Sequence, residues 1–208
     1  MLDLGRPDQV AVFEEIFVQG VYELDRVPFE PDRVVDCGAH VGYFSLLAGA
    51  RFPNAELVAF EPQAENWRCA KEQVEINKKT IEIYRAAVGI EDGRSVLVGS
   101  GCGGRLNGEA VDGVSLPRLI REWSPRRLLL KVDIEGGERA LLREVVPILP
   151  VSTVLFFETH GGLPVLDACA ELLTGAGFKV DVLRQRDGEG TSNAYADVVA
   201  LRHSREGD

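Results

Sequence analysis

Several things are scarce or missing in this chain of 208 residues. It has only four cysteines, Cys37, Cys69, Cys102 and Cys169, and no two form a Cys-x-x-Cys pair. That spacing supports neither a zinc cluster nor a disulfide framework. Reduced thiols in a cytoplasmic setting fit better. No apolar run approaches the ~20 residues that a membrane span requires. The first residues include Asp3, Asp8, Glu14 and Glu15, which do not suit a secretory signal. Positive charge is also short. The net charge is −10, which argues against a nucleic-acid or anionic-membrane surface. Arg118, Arg121, Arg126 and Arg127 lie close in sequence, but they read as a solvated face. The turn after the first apolar run is also not spelled Gly-x-Gly-x-x-Gly, as it is in dinucleotide-binding proteins.

What is present is the composition of an ordinary globule, 45% hydrophobic and 27% charged. The length fits one domain with a substantial core. The residues group into an N-terminal helical cap over 1–33, a main domain over 34–202 and a tail over 203–208. In the cap, Val10, Phe13, Phe17 and Val21 recur at helical spacing, and Pro28 and Pro31 end the pattern.

From there strands and helices alternate. Strands are expected over 33–37, 56–60, 81–88, 127–134 and 153–157, and helices over 43–52, 64–77, 138–146 and 165–173. Strands over 178–183 and 196–201 close the chain. These two are too near each other for a helical crossover, so they should form an antiparallel hairpin. The pattern predicts an α/β fold of Rossmann-like type, with a mostly parallel seven-stranded sheet, an antiparallel terminal strand and helices on both faces. Residues 95–113 read as irregular, with a short strand over 95–98 and a mobile glycine-rich run after it. A short helix is expected within 112–123. The segment 99–108 is open to two readings, a lid over substrate or a surface loop.

The richest stretch is Val34-Val35-Asp36-Cys37-Gly38-Ala39-His40-Val41-Gly42-Tyr43-Phe44. A buried strand ends in an acid, glycines follow four residues apart, and a helix begins. This builds half of a nucleotide-type cofactor site. Its Asp-x-Gly-x-x-x-Gly spelling favours S-adenosylmethionine over a dinucleotide. Gly38 is expected to let backbone approach the ligand, and Gly42 to let the first helix pack closely on the sheet. Glu61, at the end of the second strand, is placed to accept hydrogen bonds from ribose hydroxyls. Asp36 is expected to orient the loop and help hold the ligand's amino group.

Three segments resemble the FkbM family of S-adenosylmethionine-dependent methyltransferases. They are Val35 to Ser45 with Ala59-Phe60-Glu61-Pro62, then Ala86-Ala87-Val88-Gly89 with Gly93, then Lys131-Val132-Asp133-Ile134-Glu135-Gly136-Gly137-Glu138. Glu158-Thr159-His160 matches the family's Glu-x-His. His40 stands where Asn is commoner, and Gly137 where Ala is. The resemblance implies a class I methyltransferase fold and O-methylation of a small-molecule hydroxyl, as on a sugar or secondary metabolite. It implies that Asp36, Gly38, Gly42 and Glu61 bind cofactor and that Asp133 and Glu135 line the reaction side, with Asp133 near the cofactor too.

A hydroxyl acceptor calls for a base or a metal. The candidates are Asp133, Glu135, Glu158 and His160, with His160 the natural base because its ordinary pKa is near neutrality. Asp133, Glu158 and His160 together are also a candidate Mg²⁺ site. Glu135 is a candidate cap for the helix start at Gly136. Two other readings stand beside this one: an NAD-dependent oxidoreductase, and a non-catalytic binding protein on the same fold. Homo-oligomer formation is left open.

Overall fold

A computed structural model describes residues 6–101, 104–186 and 195–203. Ten strands form two sheets. The main sheet contains β1 (Arg33–Cys37), β2 (Glu56–Phe60), β3 (Ile81–Tyr84), β7 (Arg127–Val132), β8 (Ser152–His160), β9 (Lys179–Arg186) and β10 (Tyr195–Arg202). Their spatial order is β3-β2-β1-β7-β8-β10-β9. The first five run parallel, and β10 is antiparallel to both of its neighbours. This is the expected α/β sheet, with the antiparallel strand last in sequence but one place in from the edge.

The pleat explains why both faces are covered. Alternate side chains of a strand point to opposite faces. Val35, Leu128, Leu130, Val132, Leu155 and Phe157 therefore enter one core, with Leu116, Ile120, Leu141, Leu142 and Cys169 from helices α4 (Leu116–Trp123), α5 (Glu138–Val145) and α6 (Leu163–Gly175). Val34, Leu129, Val154 and Phe156 enter the other, with Phe44 and Ala48 of α2 (Tyr43–Arg51). Helix α3 (Ala64–Ile76) adds Cys69 at the edge of that second core. Ile16, Leu24, Val27 and Phe29, all N-terminal to β1, are buried in it too.

The N-terminal segment forms α1 (Pro7–Phe13), which runs on into a π-helical turn over Glu14–Gln19. Polar contacts fasten it at both ends. Arg6 pairs with Asp8 at 2.8 Å and reaches Glu65 of α3 at 2.5 Å. Glu15 accepts from Arg184 of β9 at 3.1 Å.

The structure departs from the sequence reading at several places. The strand expected over 81–88 is two pieces, because the chain leaves the sheet edge after Tyr84. Its second piece, β4 (Ala87–Gly89), joins a three-stranded sheet with order β4-β6-β5. The expected irregular stretch is the rest of that sheet, an antiparallel hairpin of β5 (Gly93–Gly101) and β6 (Gly104–Ser115). Ladder hydrogen bonds use only backbone, so the small side chains that suggested mobility did not preclude pairing. Residues 102 and 103 of the glycine-rich run lie outside the described residues, as does most of the polar loop 186–193.

Strand β8 reaches His160, three residues beyond the expected end, because Tyr195, Ala196 and Asp197 pair with His160, Thr159 and Glu158. The expected tail begins tied down: His203 Nδ1 lies 3.0 Å from Ser152 Oγ, and its ring lies 5.4 Å from that of Phe29. Residues 204–208 lie outside the described residues. Within the arginine run, Arg118 pairs with Asp92 and Glu122 at 2.6 and 2.7 Å, and Arg126 with Asp32 at 3.7 Å. Cys37, Cys69 and Cys169 are free thiols, two of them buried, and Cys102 lies outside the described residues.

Candidate active site

In an open parallel sheet, ligands gather beyond the carboxyl ends of the strands near the reversal of strand order. Here β1 lies between β2 and β7, and the ends of all three open into a cavity of about 410 Å³. Gly38, Ala39 and His40 follow β1, Glu61 and Pro62 follow β2, and Asp133, Ile134 and Glu135 follow β7 around it. Glu158 of β8 and Asp197 of β10 complete the far wall, while Val12, Glu15 and Ile16 of the N-terminal helix close over it.

The β1 loop is built from backbone. Gly38 and Ala39 both donate to the Phe60 carbonyl, at 3.0 and 2.9 Å. Glu61, 6% exposed, accepts from His40 N–H and Gln63 N–H, each at 2.8 Å. Burial pushes its carboxyl up to about 7, against the pull of those two amides. The carboxylate has lone pairs beyond those two bonds and lines the cavity, which fits a ribose acceptor.

Two glycines do work other than expected. Gly38 has φ +84°, and a Cβ there would lie 1.7 Å from the Asp133 carbonyl oxygen. Its bareness lets the ends of β1 and β7 meet, and its backbone also lines the cavity. Gly42, also at φ +84°, starts α2, and a Cβ would come 3.2 Å from Ala70 Cβ. It lets α2 approach α3 and not the sheet.

Asp36 is also corrected. It is fully buried and does not line the cavity. It accepts from Ser45 Oγ at 2.6 Å and pairs with Lys131 Nζ at 3.3 Å. It therefore cannot hold a ligand's amino group; its charge is spent inside the protein. Lys131 itself, 4% exposed, had no role assigned from sequence, although it stands in the quoted motif two residues before Asp133. Burial opposes its charge, but the groups around it, Tyr22, Asp36 and Asp133, hold its pKa well above the ordinary lysine value.

Beyond the β1 loop, Asp133, Glu158 and His160 come together, each offering an atom within 4.8 Å of the others. His160 Nδ1 lies 3.0 Å from Glu138 Oε1, and Nε2 lies 3.2 Å from Glu158 and 3.4 Å from Glu135. Burial disfavours the imidazolium, but the hydrogen bonds it donates to Glu138 and Glu158 outweigh it and push the pKa up to about 11. An imidazole held in its protonated form by two carboxylates is a poorer base than expected, which favours a neighbouring carboxylate for that role. Glu158 is the better placed: burial raises its carboxyl, with the His160 contact opposing, to about 7.

The cap at Gly136 is Glu138, not Glu135. Glu138 is 1% exposed and accepts from Gly136 N–H at 2.7 Å while also facing His160. Glu135 is half-exposed and sits at φ +58°, an unusual conformation for a side-chain-bearing residue. Glu138 was quoted only as a motif letter, and nothing in its spacing marks it as buried and doubly bonded. Arg184 was also missed. It bonds Asp197 at 2.6 Å and Glu15 at 3.1 Å on the cavity wall, a contact between residues far apart in sequence.

Comparison with known proteins follows this geometry. No known protein-family profile matches the chain. Methyltransferase sdnD of Sordaria araneosa is 26% identical, over 92% of this chain and 89% of its own length. A segment of the AMB antimetabolite synthetase AmbE of Pseudomonas aeruginosa is 39% identical over 39% of this chain, which spans only 4% of that synthetase. Among solved structures, the methyltransferase FkbM of Methylobacillus flagellatus KT superimposes with a TM-score of 0.58 at 15% identity, over 86% of this chain and 46% of that one. No helix among the described residues is long and apolar enough to cross a membrane. Its sheet and its nearly full-length similarity to a methyltransferase make the chain an S-adenosylmethionine-dependent methyltransferase whose fold is shared with the FkbM structure.

Proposed function

We propose that the chain moves the methyl group of S-adenosylmethionine to a hydroxyl of a small molecule, such as a sugar or secondary metabolite. One observation carries this reading. A single cavity has a ribose-type carboxylate, Glu61, at the end of β2 and a proton-handling cluster, Asp133 and Glu158, at the ends of β7 and β8. In this reading the β1 loop and Glu61 hold the cofactor, and the wall formed by Glu158, Tyr195 and Asp197 faces the acceptor. Methyl transfer is an in-line displacement, so catalysis consists of aligning the acceptor oxygen and excluding water. The N-terminal helix over the cavity serves the second purpose. The hydroxyl proton passes to Glu158, whose pKa of about 7 suits a base working near neutrality.

The residues also fit a divalent cation. Two carboxylates and an imidazole are ligands that Mg²⁺ or Mn²⁺ accepts. The other imidazole nitrogen faces buried Glu138, as metal-bound histidines commonly face a carboxylate. Asp133, Glu158 and His160 would hold the ion, His160 giving up its Nε2 proton to do so, and the ion would supply polarisation of the acceptor oxygen.

The test is methyl transfer from isotopically labelled S-adenosylmethionine to a panel of polyols and phenols, with mass spectrometry locating the methyl group. Label on oxygen is expected; label only on nitrogen or carbon would overturn the acceptor class. Chelation with EDTA should abolish turnover, and added Mg²⁺ or Mn²⁺ should restore it. Turnover unchanged by EDTA would leave Glu158 acting without a metal.

Glu61 gives a pH dependence. Ribose hydroxyls donate to the ionised carboxylate, so binding favours loss of its proton. Affinity for S-adenosylhomocysteine should therefore weaken as pH falls through about 7. By linkage the loss is roughly tenfold between about pH 8 and pH 6. Without ligand the sign reverses. The folded-state pKa is raised from 4.5 to about 7, so this group's contribution to stability is fully present below 4.5 and is lost as pH rises through 7. Calorimetric titration at several pH values measures the first effect, and a flat profile would remove Glu61 from the ribose site.

A further inference from the structure

Lys131 lines the cavity and touches both halves of the site. Asp36 and Lys131 are register partners on adjacent strands β1 and β7. Lys131 and Asp133 are two residues apart, on the same side of the chain as it leaves β7. The ammonium, on a side chain 4% exposed, reaches three oxygens. It donates to the Gly38 carbonyl at 2.7 Å and lies 3.3 Å from Asp36 Oδ1 and 3.4 Å from Asp133 Oδ2. Three N–H groups thus face three acceptors. The Phe44 ring, 5.9 Å from Nζ, covers the remaining side.

These partners differ in kind. Asp36 is fully buried and away from the cavity, so neutralising it is a matter of folding. The Gly38 carbonyl belongs to the cofactor loop, and the Asp133 carboxylate faces the cavity. A flexible acid at a strand end does not hold one position by itself. Tied to an ammonium that also grips the β1 loop, it keeps a fixed place relative to the cofactor.

We propose that Lys131 is a positioning residue that ties the cofactor loop at Gly38 to the Asp133 carboxylate, so that the cofactor and reaction ends of the cavity are set as one unit. The inference rests on the cofactor reading given above and adds to it a residue that acts through others.

Removing Lys131 alone would strand the buried Asp36 charge, a costly defect unrelated to positioning. The experiment therefore starts from Asp36→Asn, whose amide oxygen still accepts from Ser45. Four proteins are compared in that background: D36N, D36N/K131M, D36N/D133A and D36N/K131M/D133A. Each is measured by thermal unfolding and by calorimetric titration with S-adenosylhomocysteine.

D36N/K131M should unfold cooperatively, close to D36N, and bind S-adenosylhomocysteine about tenfold more weakly, the size of one lost charge-assisted hydrogen bond. Adding D133A to it should cost little more, because coupled residues are non-additive. If D36N/K131M binds as D36N does, Lys131 only neutralises Asp36 and the proposal is overturned. Additive losses from K131M and D133A overturn it equally. Should D36N/K131M fail to fold, D36N/K131Q, which keeps a shorter donor, is read by the same criteria. A natural-sequence chain that binds no S-adenosylhomocysteine would overturn the cofactor reading and this inference with it. Binding by that chain together with additive losses would overturn this inference alone.

Discussion

Gly38→Ala is expected to destabilise the protein by about 2–5 kcal/mol, combining the cost of a left-handed side-chain-bearing residue with that of overpacking. The new Cβ would meet the Asp133 carbonyl oxygen at 1.7 Å, and that atom is backbone at the end of a central strand. No rotamer change relieves such an overlap. Either β1 and β7 must separate beyond Cys37 and Val132, or the loop must leave its φ of +84°. Asp133 N–H donates to the Cys37 carbonyl at 3.0 Å, so separation also breaks a ladder bond. Thermal unfolding measures the effect. A melting temperature unchanged by the substitution would mean that the close approach of the two strands is not what this glycine provides. Gly42→Ala makes a graded comparison: its Cβ would meet a side-chain methyl group at 3.2 Å, so its cost should be smaller.

Glu61→Ala is expected to weaken S-adenosylhomocysteine binding at least ~100-fold. Two ribose hydroxyls donating to one carboxylate make charge-assisted bonds of roughly 1.5–3 kcal/mol each. The same change frees His40 N–H and Gln63 N–H, which now end on this carboxylate. The loop that follows β1 would lose its tie to the end of β2. Glu61→Gln separates the two losses, because it keeps one accepting oxygen but replaces the other with an NH₂ donor and removes the charge, so only part of the loop and ribose contacts survives. An intermediate affinity is expected for it. Calorimetry is the direct measurement, and an affinity for Glu61→Ala within a fewfold of the natural chain would remove the carboxylate from the cofactor's contacts.

Much of this was legible in the sequence, for identifiable reasons. Buried parallel strands are continuous apolar runs, so Val34-Val35 and Leu128-Leu129-Leu130 mark the sheet's centre. Helices with a defined stop, such as α3 before Asn77-Lys78, mark its faces. The small second sheet was not legible because β5 and β6 are held by backbone pairing between residues such as Gly93 and Gly113. Within the site, Glu61 and Asp133 could be found because they stand at strand ends after apolar runs. Lys131 and Glu138 could not. Each is a charged residue that sequence statistics place outside, and each is buried only because oppositely charged partners from other elements surround it. His160 was found, but what holds its proton was not, since that depends on Glu138 and Glu158, whose nearness is a fact of packing.

The place of β10 has a consequence in time. Among the described residues, strand β9 pairs with no strand of the main sheet but β10, and β10 alone joins it to β8. As a ribosome extends the chain, Lys179–Arg186 therefore waits with open edges until Tyr195–Arg202 has emerged. Asp197, the partner of Arg184, arrives in that same strand. The cofactor end of the cavity can be assembled by then from β1, β2 and β7, so a nascent chain should become able to hold the nucleoside before it possesses a wall against which an acceptor can rest.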